Sequence, residues 1–101
     1  AKNVIDYAVR LVSATRPTKE TSFDFIRQWV DWGASPRASQ YLVLGAKARA
    51  VLQGRPTPSI EDIQVLAPPV LRHRVLPNFN AEAEGIKIDD IVFQLIDRLD
   101  S

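Results

Sequence analysis

Cysteine is absent from the 101 residues, and histidine occurs once, as His73. The first absence removes disulfides, a thiol nucleophile and Cys-ligated zinc, and the second removes any multi-histidine metal site. Neither sign of charge dominates: thirteen Lys and Arg stand against twelve Asp and Glu, for a net +1. Such a chain carries no strong field to gather DNA, RNA or an anionic membrane surface. Its apolar runs are a few residues long, far below the roughly 20 needed to span a bilayer. No basic-then-apolar leader opens it, and repeats and low-complexity tracts are missing. Nor is there a G-x-x-x-x-G-K-[ST] phosphate loop or a G-x-G-x-x-G. The single histidine lies in a Leu-Arg-His-Arg run that supports no Ser/His/Asp arrangement. By itself the domain is expected not to be an enzyme, and its composition fits a cytoplasmic setting.

What is present suffices for one domain with one core: 46% of residues are hydrophobic and 25% charged, ordinary values for a globular chain. A helix is predicted over 3–16. Ile5, Ala8, Val9 and Val12 keep the i, i+3, i+4, i+7 spacing of a buried face, widened by Val4 and Leu11. Asn3 serves as its N-cap, Arg16 lies near its negative end, and Pro17 stops it. Residues 17–24 read as a polar loop. A connector follows with Phe23, Phe25, Ile26, Trp29, Val30 and Trp32, one short helical or extended piece pinned by its aromatics, Trp29 and Trp32 above all.

Ser35-Pro36 is the sharpest helix start, with Ser35 as N-cap and Pro36 at the first helical position. That helix runs to about Gln53 and ends at Gly54. Ala38, Leu42, Ala46, Arg49 and Leu52 share one side, beside Tyr41, Leu44, Ala48 and Val51. The interior Gly45 costs about 1 kcal/mol against alanine and so implies close packing. Ser59 and Asp62 approximate a capping box; Ile60, Ile63, Leu66 and Ala67 form a short apolar face ending at Pro68-Pro69. A second short helix is expected from Val70 to Arg74, then an irregular stretch from Leu76 to Ala83 with a few extended residues, and a turn at Gly85. The last helix spans roughly 88–99, with Ile88, Ile91, Val92, Leu95 and Leu99 inward. The fold class is all-α, a compact bundle of four or more helices.

Chemistry is sparse. The acidic pairs Glu61/Asp62 and Asp89/Asp90 sit at helix starts, where acids suit the dipole, and Glu82/Glu84 form a third pair. The stretch Gly33-Ala34-Ser35-Pro36-Arg37-Ala38 is different. It places a planar, always-charged guanidinium in a first helical turn whose dipole also favours anions. Gly33 lets the backbone turn sharply there, and Ser35-Pro36 fixes the start, so that Arg37 is aimed at a phosphate. The alternative from the residues alone is a surface arginine paired with an acid such as Asp31.

The segment Trp29–Ser39 (WVDWGASPRAS) closely resembles the second sensor segment of MoxR-family AAA+ ATPases. Tyr7–Pro17 (YAVRLVSATRP) resembles the first helix of their C-terminal lid. Pro58–Ile63 (PSIEDI), Leu66–Val75 (LAPPVLRHRV) and Ala81–Gly85 (AEAEG) are similar to the same family, in the same order. Pro77–Asn80 is the least typical stretch and has no assigned role.

The resemblance implies a single helical lid over residues 1–101, a fragment of a larger ATPase whose α/β nucleotide-binding core lies upstream. Arg37 then corresponds to the sensor arginine that reaches the terminal phosphate of ATP, coupling lid orientation to nucleotide state. ATP and Mg2+ would belong to the parent protein. The implied partners are that core, neighbouring subunits of a homo-oligomeric ring, a hexamer by resemblance, and a protein with a von Willebrand factor A domain, in chaperone-like remodelling. Nucleic acid, a membrane span and a metal site are not expected. Tyr7 would border the adenine, or else pack in the core. Arg72, His73 and Arg74 would meet a neighbouring subunit or the phosphates, or else close a helix end as acid-paired or solvated charges. The competing class is a free-standing helical module that grips a peptide or nucleic acid.

Overall fold

A computed structural model describes residues 2–18 and 22–100. Among them are six helices and a two-stranded ribbon: α1 (Lys2–Ala14), α2 (Asp24–Trp29), β1 (Val30–Trp32), α3 (Arg37–Leu52), α4 (Ile60–Leu71), β2 (Leu76–Pro77), α5 (Phe79–Ala83) and α6 (Ile88–Asp100). Helix α3 packs against both α1 and α4, α6 closes on α4 and α1, and α2 lies on α5 and α6. The all-α expectation holds, with the small ribbon as an addition. Residues 19–21 of the expected 17–24 loop lie outside the described residues.

Helix α1 begins at Lys2, so Asn3 is an internal residue and not its cap, and it ends at Ala14, two residues short of the expected limit. Its buried stripe is Val4, Tyr7, Ala8, Leu11 and Val12. The helical period is as read, but the face is rotated: Ile5 and Val9 are about half exposed, flanking a groove toward α3. Helix α3 buries the i+4 row Ala38, Leu42, Ala46 and Ala50. Leu44, Val51 and Leu52, expected at or beside the buried side, face out. With three alanines inward beside Leu42, and Leu44, Val51 and Leu52 outward, hydropathy cannot identify the packed face. Gly45 does have its packing reason, since a β-carbon there would lie 2.9 Å from Leu66 Cδ1 on α4.

Two helices end as glycine allows. Gly54 and Gly85 both have φ of +72°. At the first, Arg55 N–H donates to Ala50 O at 2.8 Å and Gly54 N–H to Val51 O at 3.0 Å. Ile86 N–H to Ala81 O (2.8 Å) and Gly85 N–H to Glu82 O (3.2 Å) repeat the pattern, the paired bonds of a Schellman end.

Pro68 and Pro69 do not end α4; it runs through both to Leu71, and the separate helix expected at Val70–Arg74 does not form. Proline in a helix interior costs about 3 kcal/mol. Against that, Ile63, Ala67 and Leu71 lie one turn apart and are each fully buried, so the apolar row is continuous across the prolines. Packing wins over local propensity. The stretch 76–83, expected to be irregular with a few extended residues, has those residues in β2 and, beyond expectation, forms α5. Asn78 fastens it: its Oδ1 accepts from Ala81 N–H at 2.9 Å, capping α5, while its Nδ2 and backbone N–H donate to Gln28 O (2.6 Å) and Trp29 O (2.9 Å). Those two carbonyls are among the last four of α2, which a helix leaves without internal partners. The residue with no assigned role thus joins the connector to the second half of the chain.

Candidate functional site

The site is built from the end of α1 upward. Val12 O, near the end of α1, accepts from Thr15 N–H at 3.1 Å and also takes, at 2.6 Å, the hydrogen of the Thr15 hydroxyl oxygen, Thr15 being 1% exposed. That hydroxyl oxygen accepts from Ala34 N–H at 2.9 Å. Arg16 Nε donates to Ala34 O at 3.0 Å. Both backbone polar groups of Ala34 are therefore held by side chains from two consecutive residues, and Ala34 itself is 1% exposed.

Gly33 makes this seam possible. A β-carbon on it would fall 2.5–2.6 Å from the backbone of Thr15 and Arg16. The expectation that Gly33 supplies a sharp turn is corrected, because its φ is not positive. Glycine is needed there for close approach, not for a left-handed conformation.

From this anchored point the chain turns into α3. Pro36 has helical φ and ψ (−56°, −26°), and the first bonds are Ala38 N–H to Ser35 O (3.0 Å) and Ser39 N–H to Pro36 O (3.1 Å). The N-cap position falls on Pro36 and not on Ser35, contrary to expectation, and carries no side-chain cap, so the proline and the seam set the start of α3. Arg37, the first residue of α3, is exposed and makes no hydrogen bond or ion pair among the described residues. The pairing with Asp31 is therefore not seen. The loop before α3 borders a cleft of ≈ 400 Å³ lined by Arg16, Asp31, Trp32 and Ser35 among others, with Arg37 outside its lining.

The other singled-out residues separate clearly. Tyr7 is 5% exposed, and its hydroxyl accepts from Gln64 Nε2 at 3.2 Å. Burial, chiefly, raises its pKa. The ring is packed in the core, in line with the second of its two readings. Trp29 packs against the core as expected, but Trp32 is 71% exposed and anchors nothing. The β1–β2 pairing is irregular between Val30 and Trp32, and such a bulge upsets strand alternation and turns the second side chain outward. Arg72 makes a two-pronged pair with Asp89 at the start of α6, through Nε (3.0 Å) and Nη2 (2.9 Å). Arg74 lies 4.6 Å from the centre of the Tyr41 ring and donates to Val70 O at 3.0 Å. Both follow the helix-end reading, and His73 is exposed.

Asp62 is more than a first-turn acid. It is fully buried, and its carboxylate accepts from Arg49, from both Nη atoms of Arg55 (2.8 and 2.6 Å) and from Ser59 N–H (2.7 Å). These donors, the Arg55 guanidinium first, hold its pKa well below the usual carboxylate range against the opposing effect of burial. The cluster ties the end of α3, the following loop and the start of α4 into one joint.

Residues 25–95 match the AAA lid domain family. The chain belongs to that family. The lid is 33% identical over 93 residues to Chaperone MoxR1 of Mycobacterium tuberculosis, covering 92% of this chain and 25% of that protein. It is 34% identical over 94 residues to YeaC of Bacillus subtilis, an uncharacterised protein, covering 93% of this chain and 27% of that one. A crystal structure from Cytophaga hutchinsonii, of a protein assigned as an ATPase, superposes with a TM-score of 0.87 at 34% identity. That match covers 95% of this chain and 29% of the other. The lid is thus of the MoxR type and spans about a quarter of the length of the relatives it matches.

For the lid, the place of Arg37 at an exposed helix start was legible because its signal is local: proline, arginine and a helical pattern adjacent in sequence. The contributions of Thr15 and Arg16 were not, since they act across 18 or 19 residues of separation. The one available hint was Gly33, whose need for space implies a backbone close by.

Proposed function

We propose that this lid closes over ATP held by the core of a MoxR-type ATPase, with Arg37 as the second-sensor residue reaching the terminal phosphate. The observation that carries the reading is an exposed guanidinium, without a partner among the described residues, at the start of a helix whose preceding loop is anchored on both backbone groups. Such an arginine can hold a phosphate through two parallel N–H donors. Its contact differs between ATP and ADP, so the preferred lid orientation follows the nucleotide. It also offsets charge that develops during phosphoryl transfer. Among the described residues no group of three or more His, Cys, Asp or Glu is arranged to hold a metal ion. In this proposal Mg2+ and the reacting water belong to the core, as the family resemblance implies.

Family resemblance extends the proposal to a cytoplasmic ring of like subunits, a hexamer, that remodels a client together with a protein carrying a von Willebrand factor A domain. No helix among the described residues is long and apolar enough to cross a membrane.

The test is Arg37→Ala in the full-length protein. Expected is a loss of roughly 10²-fold in ATP turnover, the scale of removing one transition-state donor, with the lid's thermal unfolding unchanged. Turnover equal to wild type removes the sensor assignment.

A further inference from the structure

We infer that Thr15 and Arg16 are positioning residues for Arg37, a role that rests on the sensor reading above. Four observations converge on the one seam. The Thr15 hydroxyl is buried and uses both of its capacities, donating to Val12 O at 2.6 Å and accepting from Ala34 N–H at 2.9 Å. Arg16 holds the opposite side of the same peptide unit through Ala34 O at 3.0 Å. Gly33 lets the two backbones approach so closely that no β-carbon fits. Pro36, at the N-cap of α3, offers no side-chain cap, so the seam is what ties the loop before α3 to the rest of the fold, while the Ser39 hydroxyl bond to Pro36 O (2.7 Å) stays within the helix's own first turn. Arg37 stands three residues beyond Ala34, on the first turn of α3.

The consequence is chemical rather than only structural. A buried threonine serving as donor and acceptor at once cannot be replaced by an apolar isostere without leaving Ala34 N–H unpaired in the interior. That N–H regains a partner by moving the loop, and the guanidinium at its end moves too. Contacts to a reacting phosphate tolerate little displacement: about 1 Å of misplacement costs as much as 10²-fold in rate.

The experiment is a double-mutant cycle in the full-length protein, with ATP turnover at saturating substrate and ATP affinity measured separately. Thr15→Val is expected to lower kcat roughly 10-fold, and Thr15→Ser, which restores the hydroxyl, to return it to near wild type. In the Arg37→Ala background the same Thr15→Val substitution is expected to have no further effect on kcat, because residues acting through one group are not additive. A Thr15→Val protein with wild-type turnover overturns the inference. So does an equal fold-loss in both backgrounds, which marks a general loss of folded enzyme. Unchanged turnover in Arg37→Ala alone instead sinks the sensor reading beneath it. Should Thr15→Val fail to fold, Arg16→Ala, which keeps the threonine bonds, takes its place in the same cycle with the same outcomes.

Discussion

At Asp62 a single carboxylate collects two guanidinium groups and a backbone amide while out of contact with solvent. Its ionised form is favoured in the folded state, so its contribution to stability is complete above the unfolded aspartate value of about 3.9. That contribution falls as pH drops toward its lower folded value. We expect Asp62→Asn to lower the denaturation midpoint sharply at pH 7, and the gap between mutant and wild type to narrow steadily from pH 4 to pH 2. A gap that stays constant over that range refutes the ionised joint. Glycines give a second contrast. Gly33→Ala meets immovable backbone and should lose about 1–3 kcal/mol by overpacking. Gly45→Ala meets only the end of the Leu66 side chain and gains helix propensity, so it should stay within about 1 kcal/mol of wild type. Equal losses from chemical denaturation would show the two environments to be alike. Sequence reading found Asp62 as a capping acid because Ser59 lies three residues away. It missed the burial because Arg49 and Arg55 come from another helix and a loop.

Among the elements, α4 shows local propensity losing to packing. Pro69 is exposed and Pro68 buried, so the first is separable from the core. Pro69→Ala restores a backbone donor and relieves a clash in the helix interior. It should raise stability by about 1–3 kcal/mol, part of the full difference being offset by greater freedom of the unfolded chain. A lower urea midpoint would mean that Pro69 itself is needed for the packing of α4. Proline is a reliable stop signal only where nothing beyond it needs burying, and Leu71 is fully buried. The rotated face of α1 has a related cause. Val4, Ile5, Ala8, Val9, Leu11 and Val12 offer two overlapping stripes of equal hydropathy, and only the position of α3 and α4 chooses between them. Helix α6, with one unambiguous stripe, was read correctly to within a residue at each end.

Across the molecule, side chains from five of the six helices and from β1 enter one continuous core. Leu42 on α3 and Leu95 on α6 are both fully buried in it. Leu42→Ala and Leu95→Ala should each lose about 2–5 kcal/mol while keeping a single unfolding transition; midpoints near wild type would show these positions to be less buried. The ribbon was not legible, since β1 and β2 have three and two residues and are separated by more than 40 in sequence. The seam between Ala34 and the end of α1 has a mechanical consequence. It makes α1 and the start of α3 one lever, with Lys2 at one end and the exposed guanidinium beyond the other. At 1.5 Å per residue, α1 is about 20 Å long. A tilt of about 10° about its first turn carries Ala34 through roughly 3 Å, the difference between a hydrogen bond made and one lost.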